Sequence, residues 1–141
     1  MHQRILLALA IAALALGGAT ASAATVKPWG AKANPLCAAA TKRIAKLPAP
    51  ETVKQSAGYY ASVRGIAIRL TARLRAIPRP TKRARAALRA QGVVNTALGT
   101  VVTAAKTGRQ ARLNAAFRAT VVADALADKA FIAAGARTCA D

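Results

Sequence analysis

The sequence predicts an all-α protein: an up-down-up-down four-helix bundle with a short first helix, closed by one disulfide and preceded by a cleaved signal peptide. Prolines and glycines divide the chain after residue 34 into four segments whose apolar residues recur three and four positions apart. Cysteines lie near both ends of that region, and a short basic start followed by an apolar run opens the chain. We therefore expect one helical domain over residues 35–141.

The composition limits the chemistry that the chain can perform. Its 141 residues include 22 Lys and Arg against 4 Asp and Glu, which gives a formal net charge of +18. Hydrophobic residues make up 55% of the chain and aromatic residues 4%, so the core is built from alanine and aliphatic side chains, and a wholly disordered chain is excluded. The single histidine is His2. So few acids and no later histidine disfavour acid–base and metal chemistry, and we expect neither an enzyme nor a cofactor.

Residues 1–23 have the organisation of a secretory signal peptide. Arg4 ends a short basic start, Ile5 to Leu16 is an unbroken run of Ile, Leu and Ala, and Ala21-Ser22-Ala23 supplies a cleavage site. The run is shorter than the ~20 residues that a transmembrane helix needs. We expect cleavage after Ala23, secretion, and no integral membrane span in the mature chain; an uncleaved N-terminal anchor is the alternative.

A flexible N-terminal arm and a short first helix follow the signal peptide. Residues 24–34 contain Pro28 and Gly30 and show no periodicity, and they leave the role of Trp29 open. Asn34 is a good N-cap and Pro35 suits the first helical position. The first helix is expected to bury Leu36, Ala40, Ile44 and Leu47 and to end at Pro48-Ala49-Pro50.

The second helix is predicted from about Glu51 to Ile77. It ends at Ile77-Pro78-Arg79-Pro80, because a proline disfavours helical conformation in the residue before it. Its predicted apolar stripe is Val53, Tyr60, Val63, Ala67, Leu70, Leu74 and Ile77.

The third and fourth helices are separated by Thr107-Gly108, which has the pattern of a helix C-terminus. Thr81 caps the third helix, whose heptad seam is Ala84, Ala87, Gln91, Val94, Leu98, Val101 and Ala105. The fourth helix ends near Gly135 and places on one face Leu113, Ala116, Phe117, Thr120, Asp124, Ala127 and Phe131.

The short connections favour antiparallel neighbours, so the first helix starts at the end of the bundle where the fourth finishes. Cys37 and Cys139 then lie at the same end, and in an oxidising compartment they are expected to form a disulfide rather than remain two buried thiols. Closing a loop of about 100 residues contributes ~4.7 kcal/mol on the chain-entropy account.

The layout resembles a family of small, uncharacterised exported proteins of high-GC actinobacteria. Asn34-Pro35-Leu36-Cys37, Leu47-Pro48-Ala49-Pro50, Ile77-Pro78-Arg79-Pro80, Thr107-Gly108 and Gly135-Ala136-Arg137-Thr138-Cys139 carry this likeness. It covers most of residues 34–141 and implies the helical layout, but it supplies no catalytic residues. Family members are often acidic or neutral, whereas this chain is strongly basic.

The densest charge surrounds the turn between the second and third helices. The candidate anion-binding residues, which we name the basic pole, are Arg75, Arg79, Lys82, Arg83, Arg85 and Arg89. Anionic envelope polymers or anionic lipid headgroups are the expected partners. No aromatic residue interleaves with the cluster, so nucleic acid is expected to bind only non-specifically. A solvated basic surface with no specific partner is the plainer interpretation.

Two further features suggest local roles. Asp124 falls on the predicted apolar face of the fourth helix, four residues before Asp128, and an ion pair with Arg75, Arg79 or Arg83 is its expected role.

Tyr59-Tyr60 fits either core packing or a phenolate ligand for haem, and the position of Tyr60 on the apolar stripe favours packing.

The sequence thus favours a non-enzymatic binding or interaction module at the cell envelope. A membrane-active cationic protein is the main alternative, and a small-ligand carrier, such as a haem-binding protein, is a further one. Four matched apolar seams and a disulfide argue against membrane activity, because apolar faces that already have partners do not seek lipid.

Export and the disulfide predict one intact mass for the protein purified from its native culture medium. It should equal residues 24–141 less two hydrogens, and alkylation should label both cysteines only after reduction. A full-length mass recovered from cells, with both thiols open to alkylation, would contradict both expectations.

Overall fold

The structure, a computed structural model, describes residues 28–140 and is all-helical over that range. Residues 1–27, which include the predicted signal peptide, and Asp141 lie outside the described residues. The helices are α1 (Pro28–Ile44), α2 (Val53–Arg75), α3 (Lys82–Lys106) and α4 (Gln110–Ala133), followed by a 3₁₀ turn at Arg137–Cys139. The predicted four-helix bundle with a short first helix and one disulfide is confirmed.

The central helix of the bundle is α3, which packs along α4 on one side and along α2 on the other. The short helix α1 packs against α2 and against the 3₁₀ turn. The end of α2, the start of α3 and the end of α4 meet at one end of the bundle, and the buried core there contains Trp29, Ile77, Ala84 and Phe131. This end holds the larger of two apolar clusters; the smaller lies at the opposite end and includes Val101, Leu113 and the partly buried Phe117.

The helix α1 begins at Pro28, within the segment predicted to be a flexible arm, rather than at Pro35. Proline is well suited to a first helical position, and Trp29 anchors the added turns because its side chain is almost fully buried in the core. Pro35 therefore lies inside the helix, where it cannot donate a hydrogen bond to the carbonyl of Ala31. Tertiary packing outweighs this loss.

The early start of α1 changes which of its residues are buried. Trp29, Ala33, Cys37 and Ala40 are buried, whereas Leu36 and Ile44 from the predicted stripe are half-buried and Leu47 lies beyond the helix. Asn34 is not an N-cap: its Oδ1 accepts a hydrogen bond from the backbone N–H of Thr138 at 3.1 Å. The side chain expected to start a helix thus ties α1 to the end of the chain.

Two further connections hold α1 to the segment after α4. The disulfide Cys37–Cys139 brings together Cα atoms 5.0 Å apart, across a sequence separation of 102 residues. Two turns earlier in α1, the backbone of Gly30 lies so close to Gly135 that a Cβ at residue 30 would overlap the carbonyl oxygen of Gly135. Gly135 itself has a φ of 81°, a left-handed conformation that glycine adopts without steric cost.

The ends of α2 and α3 follow from their sequences. Thr52 and Gln55 form a capping box at the start of α2. The Oγ1 of Thr81 accepts from the N–H of Ala84 at 3.1 Å, so the predicted cap of the third helix is confirmed. Gly108, with a φ of 67°, follows the end of α3.

The apolar faces of α2 and α4 differ from the predicted stripes. On α2, Ile66 and Thr71 are buried, while Val63 and Leu70 are only half-buried, because α2 packs against both α1 and α3. Thr71 accepts a hydrogen bond from the side-chain amide of Asn95 on α3 at 3.0 Å. On α4, Ala123 rather than Asp124 is buried, since the small side chain lets α3 and α4 approach closely.

The close contact at residue 30 predicts opposite effects for two glycine-to-alanine substitutions. Gly30→Ala should lower the free energy of unfolding by about 3 kcal/mol, because backbone atoms, not a flexible side chain, must move. Gly92→Ala is the matched control in the interior of α3, where a Cβ meets nothing within 4 Å, and it should raise stability by roughly 1 kcal/mol. Urea unfolding of the oxidised proteins measures both, and equal changes would contradict the close packing of α1.

Candidate anion-binding site

The basic pole occupies the end of the bundle formed by the α2–α3 connection. Arg75 is the last residue of α2, Arg79 lies in the connection, and Lys82 is the first residue of α3. Arg83, Arg85 and Arg89 follow within the first turns of α3. All six side chains are exposed, and the sequence from residue 75 to residue 89 contains no Asp or Glu.

The local backbone fixes the positions of Arg79 and Arg85. Arg79 has a φ of 54°, a left-handed conformation that is uncommon for a residue with a Cβ, and prolines precede and follow it. The guanidinium of Arg85 donates from Nη1 to the carbonyl oxygen of Pro80 at 2.8 Å. Arg85 therefore helps to hold the connection in shape, and Arg79 projects from a constrained turn.

A cavity of about 510 Å³ opens beside this turn. Apolar side chains from α1 and the connection line it, namely Trp29, Ile77 and Pro78, together with the cations Lys32 and Arg79 and the cap residue Thr81. The indole Nε1 of Trp29 is buried and has no hydrogen-bond acceptor among the described residues. The structure thus brings a lysine of α1 to the same cavity as the predicted Arg79.

Lys32 is absent from the predicted site because the sequence predicts a flexible arm over residues 24–34. The buried positions Trp29 and Ala33 lie four residues apart, which is a helical spacing. This spacing is visible in the sequence, but Pro28, Gly30 and Pro35 in the same stretch favour an irregular arm over a helix.

Positive charge at the start of α3 is electrostatically unfavourable without an anion. The N-terminus of a helix carries a partial positive charge, and acidic residues are normally favoured there. The first turn of α3 contains no acidic residue and begins with Lys82 and Arg83. An anion at this helix end would offset the repulsion and accept hydrogen bonds from the free backbone N–H groups.

The two aspartates of α4 line a different cavity from the one beside the basic pole. Asp124 and Asp128 line a second cavity of about 320 Å³, formed where the short α1 leaves a gap between α2 and α4. Arg75, Arg79 and Arg83 are not among the residues that line this groove, and the side chain of Asp124 is exposed rather than buried. The expected ion pair between α4 and the pole stays a prediction.

The tyrosine pair packs in the smaller apolar cluster. The ring of Tyr60 makes edge-to-face contacts with Tyr59, with centroids 5.0 Å apart, and with Phe117, with centroids 4.8 Å apart. Burial, and then the neighbouring Tyr59, raise the pKa of the Tyr60 hydroxyl. A raised pKa disfavours the phenolate that a haem ligand would supply, so this geometry favours the packing role.

Comparison with known protein families, with curated proteins and with solved structures finds no match to this chain. Within residues 28–140, no cluster of His, Cys, Asp or Glu could hold a metal ion. In the same range, no helix is both long and apolar enough to cross a membrane. Any role of the basic pole and its cavity therefore has to follow from the chemistry of their own residues.

The environment of Asp124 predicts a pH dependence of stability. Partial desolvation where Asp124 lines the groove raises the pKa of its carboxyl group although the side chain stays exposed, so the folded protein binds the proton more tightly than the unfolded chain does. Stability should fall as the pH rises from the unfolded pKa to the folded pKa, and Asp124→Asn should be more stable than the wild type at pH 7. The two proteins should converge in acid below both pKa values.

Thermal unfolding from about pH 2.5 to pH 7 measures this difference. If Asp124→Asn were instead less stable than the wild type at pH 7, the ionised carboxylate would be stabilising, as the predicted ion pair requires. The same measurements therefore show whether the ionised carboxylate of Asp124 is destabilising because it is desolvated or stabilising because it forms an ion pair.

Proposed function

We propose that this protein is an exported, non-enzymatic binding module that attaches to anionic, phosphate-bearing partners at the cell envelope through its basic pole. The observation that carries this proposal is the convergence of Lys32 and Arg79, from different elements, on one cavity at the start of α3. Disulfide closure and the signal-like segment support an extracytoplasmic location.

The chemistry of the pole fits phosphate groups. Arginine presents several donors in a planar fork that matches phosphate oxygens, and five of the six pole residues are arginines. Exposed cations separated by solvent contribute little each but act together on a polymer with repeated charges. Nucleic acid meets the same charge condition, but the exposed pole has no aromatic side chain for base stacking, so its binding is expected to be non-specific.

Charge neutralisation at the pole tests the proposal. Replacing Arg79, Lys82, Arg83 and Arg85 with Gln should weaken binding to a glycerol-phosphate polymer by roughly 30-fold at low salt, if each exposed cation contributes roughly 0.5 kcal/mol. The binding of the wild type should also fall steeply as ionic strength rises, since salt screens exposed charges. Equilibrium binding at several salt concentrations measures both effects.

A control with the same charge change uses the opposite end of the bundle. Lys54, Lys106, Arg109 and Arg112 are exposed at the start of α2, the end of α3 and the start of α4. Replacing these four with Gln should change affinity far less, while circular dichroism confirms that both variants stay folded. Equal losses in the two variants would show that net charge alone acts, and no loss in either would rule out the pole.

Membrane activity is a second candidate, and a specific observation favours it. Four large aliphatic side chains on α4 are more than half exposed: Val121, Val122, Leu126 and Ile132. These residues lie outside the apolar face predicted for the fourth helix, whose Leu113, Ala116 and Phe131 are buried, so α4 carries a second apolar face that the predicted stripe does not include. Release of vesicle contents at high salt would indicate bilayer disruption, whereas polymer binding would be abolished under the same conditions. No comparable observation favours a haem carrier.

A further inference from the structure

The outer face of α4 combines exposed aliphatic residues with basic ones. We define the outer face of α4 by seven exposed residues, namely Arg118, Val121, Val122, Ala125, Leu126, Lys129 and Ile132. At 3.6 residues per turn they cover an arc of about 140° on one side of the helix. The opposite side of α4 carries the buried residues Ala123, Ala127 and Phe131, which face the core.

The apolar part of this face is larger than scattered surface residues would give. Val121 and Val122 are 65% and 63% exposed, and Leu126 and Ile132 are 59% and 51% exposed. The described remainder of the chain has only Ile68 and Val93 as large hydrophobic residues of comparable exposure, one on α2 and one on α3. A contiguous exposed apolar patch of this kind marks an interaction surface.

The charges decide between a lipid surface and a second copy of the chain. Arg118 and Lys129 lie within the face and no acidic residue does, while Asp128 lies beside its edge and, with Asp124, lines the groove. A symmetric α4–α4 contact would bring these cations toward their own copies in two strongly basic molecules. An anionic bilayer accepts both components, since its headgroups attract the cations and its interface accepts the aliphatic side chains.

We propose that α4 lies along the surface of an anionic phospholipid bilayer, with Val122 and Leu126 inserted into the interface and Arg118 and Lys129 at the headgroups. This inference rests on the proposed function and names its partner more closely: among phosphate-bearing surfaces, it selects a lipid membrane. Lys129 and Ile132 belong to the end of α4 that meets the basic pole, so the same end of the bundle supplies further cations to that surface.

Vesicle binding with matched variants tests the insertion. Vesicles of equal parts phosphatidylglycerol and phosphatidylcholine should bind the wild type, and vesicles of phosphatidylcholine alone should bind it weakly. Val122→Asn combined with Leu126→Asn should reduce the partition coefficient roughly tenfold or more, because two aliphatic side chains no longer leave water. Ile68→Asn with Val93→Asn is the matched control, since Val93 is 59% exposed like Leu126, and it should bind as the wild type does.

Fluorescence distinguishes insertion of α4 into the bilayer from electrostatic adsorption of the protein on its surface. Leu126→Trp should show a blue shift and quenching by brominated lipid when anionic vesicles are added, and Val93→Trp should show neither. Unchanged partitioning of the Val122 and Leu126 variant, or an unshifted Trp at residue 126, would overturn the inference. A dimer in sedimentation that dissociates in the same variant would overturn it as well, by showing that a second copy covers α4.

The two proposals fail in different ways. Binding to the glycerol-phosphate polymer without any effect of the α4 substitutions on vesicle binding would leave the proposed function standing and refute the role of α4. Loss of polymer binding in both the pole variant and its charge control would refute the specific role of the pole, whatever α4 does.

Discussion

The contact between α1 and the segment after α4 is the constraint on which the architecture depends. Backbone meets backbone at Gly30 and Gly135, and two turns further along α1 Cys37 is joined to Cys139. Since α1 is short, it has few side chains with which to hold itself in the bundle. The covalent link and the close approach of the two chain segments keep Trp29 in the core, and through Trp29 they place Lys32 beside the α2–α3 connection.

An alanine-rich core shapes the surface as well as the interior. Alanines such as Ala84, Ala87 and Ala127 are almost completely buried and let the helices approach closely, but each contributes little buried area. Larger aliphatic residues lie on the surface of α4, where no helix within residues 28–140 covers them. The groove beside Asp124 has a related origin, because α1 ends before it can fill the space between α2 and α4.

The sequence predicted the parts of the fold that depend on local signals. Thr81 and Gly108 mark the ends of α3 because capping and left-handed glycine are short-range effects, and the Cys37–Cys139 pair followed from topology. The start of α1 and the burial of Ala123 in place of Asp124 could not be predicted from local signals. Both depend on how closely two helices approach each other. Small residues allow a close approach, but the spacing of apolar residues along one helix does not specify it. The cluster of positive charge between Arg75 and Arg89 is visible in the sequence, whereas the position of Lys32 at the same cavity as Arg79 depends on the packing of Trp29.

The separation of the two cysteines has a consequence for the order of folding. A chain that leaves a ribosome or a translocation channel N-terminus first presents Cys37 and Trp29 long before Cys139, which lies 102 residues later. The contact that holds α1 in place therefore cannot form until nearly the whole domain has emerged. Until then α2, α3 and α4 can pair as neighbours, but the bond between Cys37 and Cys139 that holds α1 cannot form.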